Sequence, residues 1–207
     1  MTAPAVAGLL PAAGGGARFG RPKALFEVAG ERLVERGARL LRAAGLDPVV
    51  VVLGAAADRV RAEADLDGVE VVDNPAWESG MGSSLRTGLA ALTDRAPAAI
   101  VALADQPGIG VTAVRRLVGA WAAGARVAVA TYGGERRNPV LLHAAVWDAV
   151  ASAATGDEGA RPFLRAHPEL VVPVGCDGTG YPDDVDTPED LARIATAMES
   201  RGDPGCS

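Results

Sequence analysis

Short, unbroken runs of apolar residues constrain the fold of this chain more than any other feature. Val6–Leu10, Pro48–Leu53 and Ala99–Ala104 contain no charged or polar side chain. Strands buried on both faces have this composition, whereas strands with one solvent-facing side alternate. Segments with helical spacing separate the runs, as between Leu33 and Ala44. The alternation predicts parallel βαβ units in an α/β fold, a three-layer αβα sandwich with a Rossmann-like, mostly parallel sheet.

The length and composition of the chain fit one folded domain. A chain of 207 residues can bury a substantial core, and a hydrophobic content of 49% excludes a disordered protein. No repeat or low-complexity linker divides the sequence. We therefore expect a single domain over residues 1–199 and a tail over residues 200–207.

The charge balance and the cysteine usage exclude several classes of protein. The net charge is -6 and no basic face is evident, which argues against a nucleic-acid partner. No apolar run is long enough to span a membrane, and the first run lacks the basic residues that precede a signal-peptide core. Cys176 and Cys206 form no C-x-x-C pair, and neither His143 nor His167 stands at zinc-ligand spacing from them. So few cysteines suit a reducing cytoplasm, where we expect the protein.

A glycine-rich loop follows the first apolar run. Three consecutive glycines, Gly14 to Gly16, are followed by Arg18 and Lys23. Glycines let a phosphate approach the backbone closely, so that successive amide groups can converge on an anion. Arg18 adds a planar fork of donors and Lys23 a mobile point charge. The stretch predicts a binding site for a nucleoside triphosphate.

Two common phosphate-binding motifs do not describe this loop. The dinucleotide fingerprint would need a glycine where Phe19 stands, and the P-loop would need a lysine where Arg21 stands. A glycine-rich connection without a ligand is the alternative. Pro22 and Lys23 directly after the loop favour the phosphate site.

Two acidic residues are candidates for holding a metal ion. Asp105 follows the run Ala99–Ala104, and ligands of open α/β sheets bind at the carboxyl ends of the strands. A carboxylate there can hold Mg²⁺ beside substrate phosphates. The alternative for Asp105 is a solvated turn before Pro107. Asp186 directly precedes Thr187, a predicted helix N-cap, and could share the metal with Asp105.

A pair of serines lies before another predicted helix. Ser83 is a plausible N-cap of a helix that runs to about Ala91, and Ser84 follows it. Because a helix N-terminus binds anions and polar groups, both serines are candidate ligand contacts. The alternative for Ser83 is a helix cap with no ligand.

Four segments in this order resemble the molybdenum cofactor cytidylyltransferases and their MobA-like relatives. The segments are PAAGGGARFGRPKAL, NPAWESGMGSSLRTGL, LADQPG, and the pair NPVLL and DVDTPEDL. The resemblance covers nearly the whole chain and implies a fold of the nucleotide-diphospho-sugar transferase type. In that family an Ala-Ala-Gly loop goes with CTP and an Ala-Gly-Gly loop with GTP. Ala12, Ala13 and Gly14 therefore suggest CTP.

The resemblance also implies roles for individual residues. It makes Arg18, Lys23 and Asp105 catalytic, and Asp105 and Asp186 ligands of Mg²⁺. It places Asn138 and Pro139 at the acceptor. The residues it implies at the nucleotide are Ala12, Ala13, Gly14, Gly15, Gly16, Arg18, Lys23, Ser83, Ser84 and Asp105.

The implied reaction is transfer of CMP from CTP to a phosphate-bearing small molecule, the molybdopterin form of the molybdenum cofactor, with release of pyrophosphate. A molybdoenzyme is an implied protein partner. Some proteins on this scaffold are instead NAD(P)H-dependent reductases of quinone-like pigments, such as the nicotine blue oxidoreductases, which the motifs resemble nearly as well. A non-catalytic chaperone of a molybdoenzyme and a transferase with a sugar-phosphate acceptor are further alternatives.

Overall fold

The computed structural model describes residues 6–16 and 22–199, in which strands and helices alternate as the apolar runs predict. The strands in this part of the chain are β1 Ala7–Pro11, β2 Glu27–Val28, β3 Glu31–Arg32, β4 Val49–Leu53, β5 Glu70–Asp73, β6 Ala98–Val101, β7 Val127–Tyr132, β8 Glu135–His143 and β9 Val171–Gly175. The helices are α1 Leu33–Ala43, α2 Ala57–Glu63, α3 Met81–Leu92, α4 Val111–Ala122, α5 Trp147–Ala153, α6 Arg161–Ala166 and α7 Pro188–Glu199. None of these helices is both long and apolar enough to cross a bilayer.

Seven strands form one sheet in the order β5-β4-β1-β6-β8-β7-β9. β1 pairs in parallel with β4 and β6, and β4 pairs in parallel with β5. β8 is antiparallel to both of its neighbours, β6 and β7, and β9 is parallel to β7. The predicted mostly parallel sheet is confirmed. Because parallel strands end at the same edge, the segments that follow β1 and β6 meet there.

Helices cover both faces of this sheet, so the predicted three-layer sandwich is confirmed. Leu9 and Leu10 of β1 are fully buried and belong to different core clusters, because successive side chains of a strand point to opposite faces. Residues of α1 and α4 pack around Leu10, and residues of α3, α5 and α6 pack around Leu9. Each such fully buried leucine contributes roughly 1.5–3 kcal/mol through the hydrophobic effect.

A third, smaller cluster attaches α7 and the segment before it to the hairpin formed by β2 and β3. Its buried members are Phe26, Val28, Leu33, Val185, Ile194 and Met198. Val185 is fully buried and directly precedes Asp186. The position of Asp186 therefore depends on the packing of α7 against the hairpin.

β6 ends earlier than its apolar sequence predicts. The run Ala99–Ala104 suggests a strand up to Asp105, but β6 ends at Val101. Ala102 still donates a backbone hydrogen bond of 3.0 Å to Leu9 O, and the chain then leaves the sheet towards α4. Asp105 consequently lies in a turn beyond the strand, where its backbone contacts the segment before α7.

Candidate active site

The glycine loop begins where β1 leaves the sheet. Ala12 N donates to Val52 O at 2.9 Å, and Ala55 N donates to Ala13 O at 3.1 Å, so the start of the loop is tied to the neighbouring segment. Within the described residues, the amides of Gly14 and Gly15 donate to no protein group. These amides can therefore serve an anion, as the sequence predicts.

Two positions of this loop favour glycine, Gly15 because of a close neighbour and Gly16 because of its backbone conformation. A Cβ atom on Gly15 would lie 3.2 Å from Cζ3 of Trp77, which packs across the loop. Gly16 has a φ of 59°, which glycine adopts without strain. A Cβ atom added to Gly14 would meet no atom of the described residues within 4 Å.

A cleft of about 290 Å³ opens beside this loop, and we call it the central cleft. It is lined by Pro11, Ala12, Ala13, Gly14, Gly15, Lys23, Ala24, Trp77, Glu78, Gly80, Met81, Ser84, Leu103, Ala104, Asp105 and Asp157. The predicted residues Ala12, Ala13, Gly14, Gly15, Lys23, Ser84 and Asp105 thus share one cleft.

Lys23 lies between the two carboxylates that the sequence proposes as metal ligands. Its Nζ atom is 3.3 Å from Oδ2 of Asp105 and 2.7 Å from Oδ1 of Asp186. Asp105 and Asp186 are 81 positions apart in sequence, yet one cation contacts both. The side chains of Lys23 and Asp105 are each 25% exposed, and that of Asp186 is 51% exposed. The site is therefore half-buried but open to a ligand.

Backbone and side-chain contacts between two loops bring the carboxylates together. Val185 N donates to Asp105 O at 2.8 Å. The buried Gln106 donates through Nε2 to Oδ1 of Asp184 at 2.8 Å and to Pro182 O at 3.3 Å. These bonds hold the segment before α7 against the turn that carries Asp105.

Burial and neighbouring charges shift the pKa of Lys23 in opposite directions, and the same holds for the pKa of Asp105. Burial disfavours the Lys23 ammonium, but the hydrogen bond to Asp186 and the charges of both carboxylates outweigh it and raise the pKa of Lys23. Burial raises the pKa of Asp105 above its usual value, although the charge of Lys23 acts to lower it. Lys23 is therefore charged at neutral pH, and a cation beside Asp105 favours the ionised form of its carboxyl group.

The donor set at this position fits a divalent metal. Two carboxylates already converge on one cation, and carboxylate oxygens are the ligands that Mg²⁺ and Mn²⁺ prefer. Among residues 6–16 and 22–199, no group of three or more His, Cys, Asp or Glu could hold a metal. A metal bound here would take its other ligands from water and phosphate, which is usual for Mg²⁺ at nucleotide sites.

The prediction that Ser83 is the N-cap of a helix is wrong. α3 begins at Met81 and Gly80 is its N-cap, so Ser83 lies within the first turn. The Ser83 hydroxyl donates to Gly80 O at 2.8 Å and accepts from Nδ2 of Asn74 at 2.7 Å. A capping serine accepts a hydrogen bond from a backbone N–H, whereas a serine in the first turn of a helix can donate to a backbone carbonyl, as Ser83 does. The sequence alone does not distinguish these two positions. Ser84 lines the central cleft, whereas Ser83 is used internally.

Asn74 organises this region, and sequence reasoning missed it. Its side chain is buried, and Nδ2 donates to both serine hydroxyls, at 2.7 Å for Ser83 and 3.1 Å for Ser84. Its Oδ1 accepts from Ala76 N at 3.0 Å and so shapes the turn before Trp77. The Asn-Pro dipeptide at the start of this loop was the only available signal.

Asp157 is a second residue that the sequence did not single out. It lies in the Gly-rich segment GDEG after α5, and its Oδ1 accepts from Met81 N at 3.3 Å at the start of α3. Gly80 packs so closely on Gly156 that an added Cβ would overlap its carbonyl group. Because α5 separates this segment from the other cleft residues in sequence, spacing alone could not associate them.

Two other predicted site residues lie on a strand of the sheet, and a third falls outside the described residues. Asn138 and Pro139 lie within β8 and are not among the residues that line the central cleft. Arg18 lies outside the described residues, as does the predicted tail over 200–207. Their assignments stay predictions.

Asp190 stabilises the backbone around Asp186. Its Oδ2 accepts from Asp186 N at 3.1 Å and from Thr187 N at 2.9 Å, and Asp190 N donates to Oγ1 of Thr187 at 3.2 Å. This reciprocal pattern confirms the predicted cap of α7 at Thr187. A hydrogen bond from Arg193, followed by those from Thr187 and Asp186 N, lowers the pKa of Asp190 from 3.8 to about 2.

We expect an acid titration of the folded protein to show this shift. Because the folded-state pKa is lowered, the stabilisation from Asp190 is complete above pH 3.8 and is lost as the pH falls through about 2. Carboxyl NMR signals measured against pH should place the Asp190 midpoint near 2 in the wild type and higher in Arg193→Met. A wild-type midpoint of 3.8 would contradict this assignment.

Parallel sheets of this type bind nucleotides at the edge where the loops after β1 and β6 meet, which places the chain in the class of nucleotide-binding α/β proteins. Comparison with protein families identifies it further. The model of the MobA-like NTP transferase domain matches residues 8–171. The chain therefore belongs to the MobA-like NTP transferase family, and the resemblance seen in the sequence is confirmed at that level.

The chain is also similar to named proteins and to solved structures over nearly its whole length. The nicotine blue oxidoreductase of Paenarthrobacter nicotinovorans is 43% identical over 199 residues, which is 92% of this chain and 97% of that protein. The crystal structure of Rv0371c from Mycobacterium tuberculosis H37Rv has a TM-score of 0.83 and 30% identity, covering 94% of this chain and 100% of that one. A manganese complex of Rv0371c has a TM-score of 0.80 and 28% identity, covering 93% and 99%.

More distant structures support the fold class alone. A nucleotidyl transferase from Methanothermobacter thermautotroptrophicus has a TM-score of 0.79 at 20% identity, covering 96% of this chain and 99% of that one. The scaffold of the nucleotide-diphospho-sugar transferase type is thereby confirmed.

Proposed function

We propose that this protein transfers CMP from CTP to a phosphate-bearing acceptor, the molybdopterin form of the molybdenum cofactor, and releases pyrophosphate. The observation that carries the proposal is that the carboxylates of Asp105 and Asp186 both contact the Lys23 ammonium. This ion-pair cluster lies beside the glycine loop, whose Gly14 and Gly15 amides can bind an anion. Membership of the NTP transferase family supports the reaction class. The Ala12–Ala13–Gly14 form of the loop supports CTP as the nucleotide.

The proposed reaction needs positioning and charge neutralisation more than a protein nucleophile. An oxygen of the acceptor phosphate attacks the α-phosphorus of CTP in line, and the bond from that phosphorus to the oxygen bridging to the β-phosphorus breaks. The acceptor phosphate is already ionised at neutral pH, so no residue has to remove a proton. Holding both reactants in one orientation can lower the barrier by several kcal/mol, on the order of 7–11 in the best cases.

The residues of the central cleft and the other predicted site residues each have a proposed task in this reaction. The amides of Gly14 and Gly15 orient the triphosphate, and Lys23 and Arg18 stabilise the charge on the leaving pyrophosphate. Mg²⁺, held by Asp105, Asp186 and phosphate oxygens, would neutralise charge on the reacting phosphates when bound. Ser84 and the half-buried ring of Trp77 line the part of the cleft assigned to the nucleoside. The acceptor would approach from the side of Asn138 and Pro139.

Reduction of a quinone-like pigment by NAD(P)H is the second candidate function. Identity of 43% across 97% of a nicotine blue oxidoreductase favours it. On this scaffold the glycine loop would hold the pyrophosphate of the dinucleotide. A molybdoenzyme partner, and the alternative of a chaperone without catalysis, stay predictions.

Nucleotide binding separates the two candidates. We expect calorimetry to show that CTP binds in the presence of Mg²⁺ with higher affinity than GTP or NADPH, and that bound CTP raises the melting temperature. Trp77→Phe serves as a variant that reports on the cleft, because tryptophan fluorescence should respond to CTP in the wild type but not in this variant. Binding of NADPH without binding of CTP would overturn the transferase proposal.

Catalysis is tested separately by adding the acceptor. Wild-type protein with CTP, Mg²⁺ and molybdenum cofactor should release pyrophosphate in proportion to cofactor consumed. CTP binding without pyrophosphate release would favour the chaperone.

A further inference from the structure

Lys23 is chemically exceptional in this chain. The sequence contains 20 Lys and Arg residues, and Lys23 is the only lysine among them. Apart from the pair of His167 with Glu169, arginine supplies the cation of the other ion pairs found among the described residues, including those of Arg32, Arg61 and Arg193. A guanidinium is a broad, planar fork, whereas an ammonium is a compact charge on a flexible stem. The position between Asp105 and Asp186 therefore holds the basic side chain most similar in shape to a metal ion.

The charges at this position are not balanced by the lysine. Asp105 and Asp186 together carry two negative charges against one on the ammonium. A divalent ion in the same place would neutralise both carboxylates, and it would compete with Lys23 for the same oxygen atoms. Lys23 also lines the central cleft with Gly14 and Gly15, so its stem connects the carboxylates with the region of the open amides.

We propose that the Lys23 ammonium holds the cation position between Asp105 and Asp186 until a triphosphate draws it towards the phosphates, so that nucleotide and divalent metal bind cooperatively. The proposal rests on the proposed function only in naming a triphosphate as the group that draws the lysine away. Lys23 would then contact the carboxylates of Asp105 and Asp186 in the nucleotide-free protein and the phosphates in the nucleotide-bound protein. By linkage, the factor by which nucleotide raises metal affinity equals the factor by which metal raises nucleotide affinity.

The central test measures Mn²⁺ binding to the nucleotide-free protein. If Lys23 competes with the metal, removing its charge in Lys23→Met should tighten Mn²⁺ binding by about tenfold, within the usual range of coupling between sites. Lys23→Arg keeps the charge and should bind Mn²⁺ more weakly than Lys23→Met. Free Mn²⁺ is measured by electron paramagnetic resonance during titration, with circular dichroism to verify folding.

Two control variants separate competition from general electrostatics. Arg116→Met makes the same change in net charge on α4, where Arg116 bonds to Gly175 O, and should leave Mn²⁺ affinity unchanged. The double variant Lys23→Met with Asp105→Asn should lose the added affinity, because a metal ligand is missing. Unchanged or weaker Mn²⁺ binding in Lys23→Met would overturn the proposal, whether or not the protein catalyses transfer.

The single lysine permits a second measurement on the wild type. Protein labelled with ¹³C-lysine has one lysine side-chain signal, that of Lys23. We expect this signal to remain in place when Mg²⁺ is added alone at millimolar concentration and to shift when CTP and Mg²⁺ are added together. A full shift with Mg²⁺ alone would contradict the requirement for nucleotide.

Discussion

Asp105→Asn should lower the rate of nucleotidyl transfer by about 100-fold or more, the usual cost of removing one preorganised electrostatic group. Asparagine keeps the size of the side chain but removes the charge that holds the metal. The fold should survive, because burial already disfavours the ionised carboxyl and Lys23 retains Asp186 as a partner. Pyrophosphate release at saturating CTP and Mg²⁺ measures the effect.

The neighbouring carboxylate of Asp184 offers a matched control. Its Oδ1 accepts a hydrogen bond from Gln106, and an asparagine can accept the same bond. Asp184→Asn should therefore retain most of the activity, while Asp186→Asn should lose about as much as Asp105→Asn. A rate for Asp105→Asn close to that of the wild type would remove Asp105 from the catalytic assignment.

Gly110→Ala should destabilise the protein by about 1–3 kcal/mol, as overpacking of a tight contact does. Gly110 is the N-cap of α4, and an added Cβ would overlap the carbonyl oxygen of Thr179. Ile109 and Gly180 form a β-bridge at this contact, and Tyr181 N donates to Gly108 O at 2.8 Å. Separating these loops should also displace Asp186 and weaken Mn²⁺ binding.

Gly119 in the interior of the same helix provides the comparison. A Cβ added there meets no atom within 4 Å. Gly119→Ala should therefore stabilise the protein by about 0.5–1 kcal/mol, because alanine favours a helix more than glycine does. Urea unfolding measures both variants. Equal urea midpoints for Gly110→Ala and the wild type would show that the segment around Gly110 is not in tight contact with Thr179.

The class of fold was predictable because a strand that is buried on both faces has a continuous run of apolar residues. A run such as Pro48–Leu53 shows its burial without knowledge of its neighbours, and β4 occupies Val49–Leu53 of it. Ends of elements were less predictable. β6 is shorter than its apolar run, because Ala102 and Ala104 are buried in the turn towards α4 and not in the strand. An apolar segment indicates burial, but it does not show whether the buried backbone forms a strand or a turn.

The sequence singled out several residues that line the central cleft, but it did not predict how their side chains pair. Lys23 was assigned to the triphosphate on the basis of its loop, and the structure places its ammonium between Asp105 and Asp186. A sequence shows that a charge is available, but the partner of that charge depends on which loops approach each other in space. Asn74 was missed for the same reason, because its two serine partners lie on the following helix.

By itself the sequence determined the alternating α/β scaffold, the family, and the glycine loop with its basic neighbours, because periodicity, composition and local motifs are properties of adjacent residues. Only the tertiary structure decided that two carboxylates 81 positions apart share one ammonium, and that Gln106 and Val185 hold them there. Contacts between distant segments arise from packing of α7 on the hairpin and from hydrogen bonds between loops, and neither has a local signature.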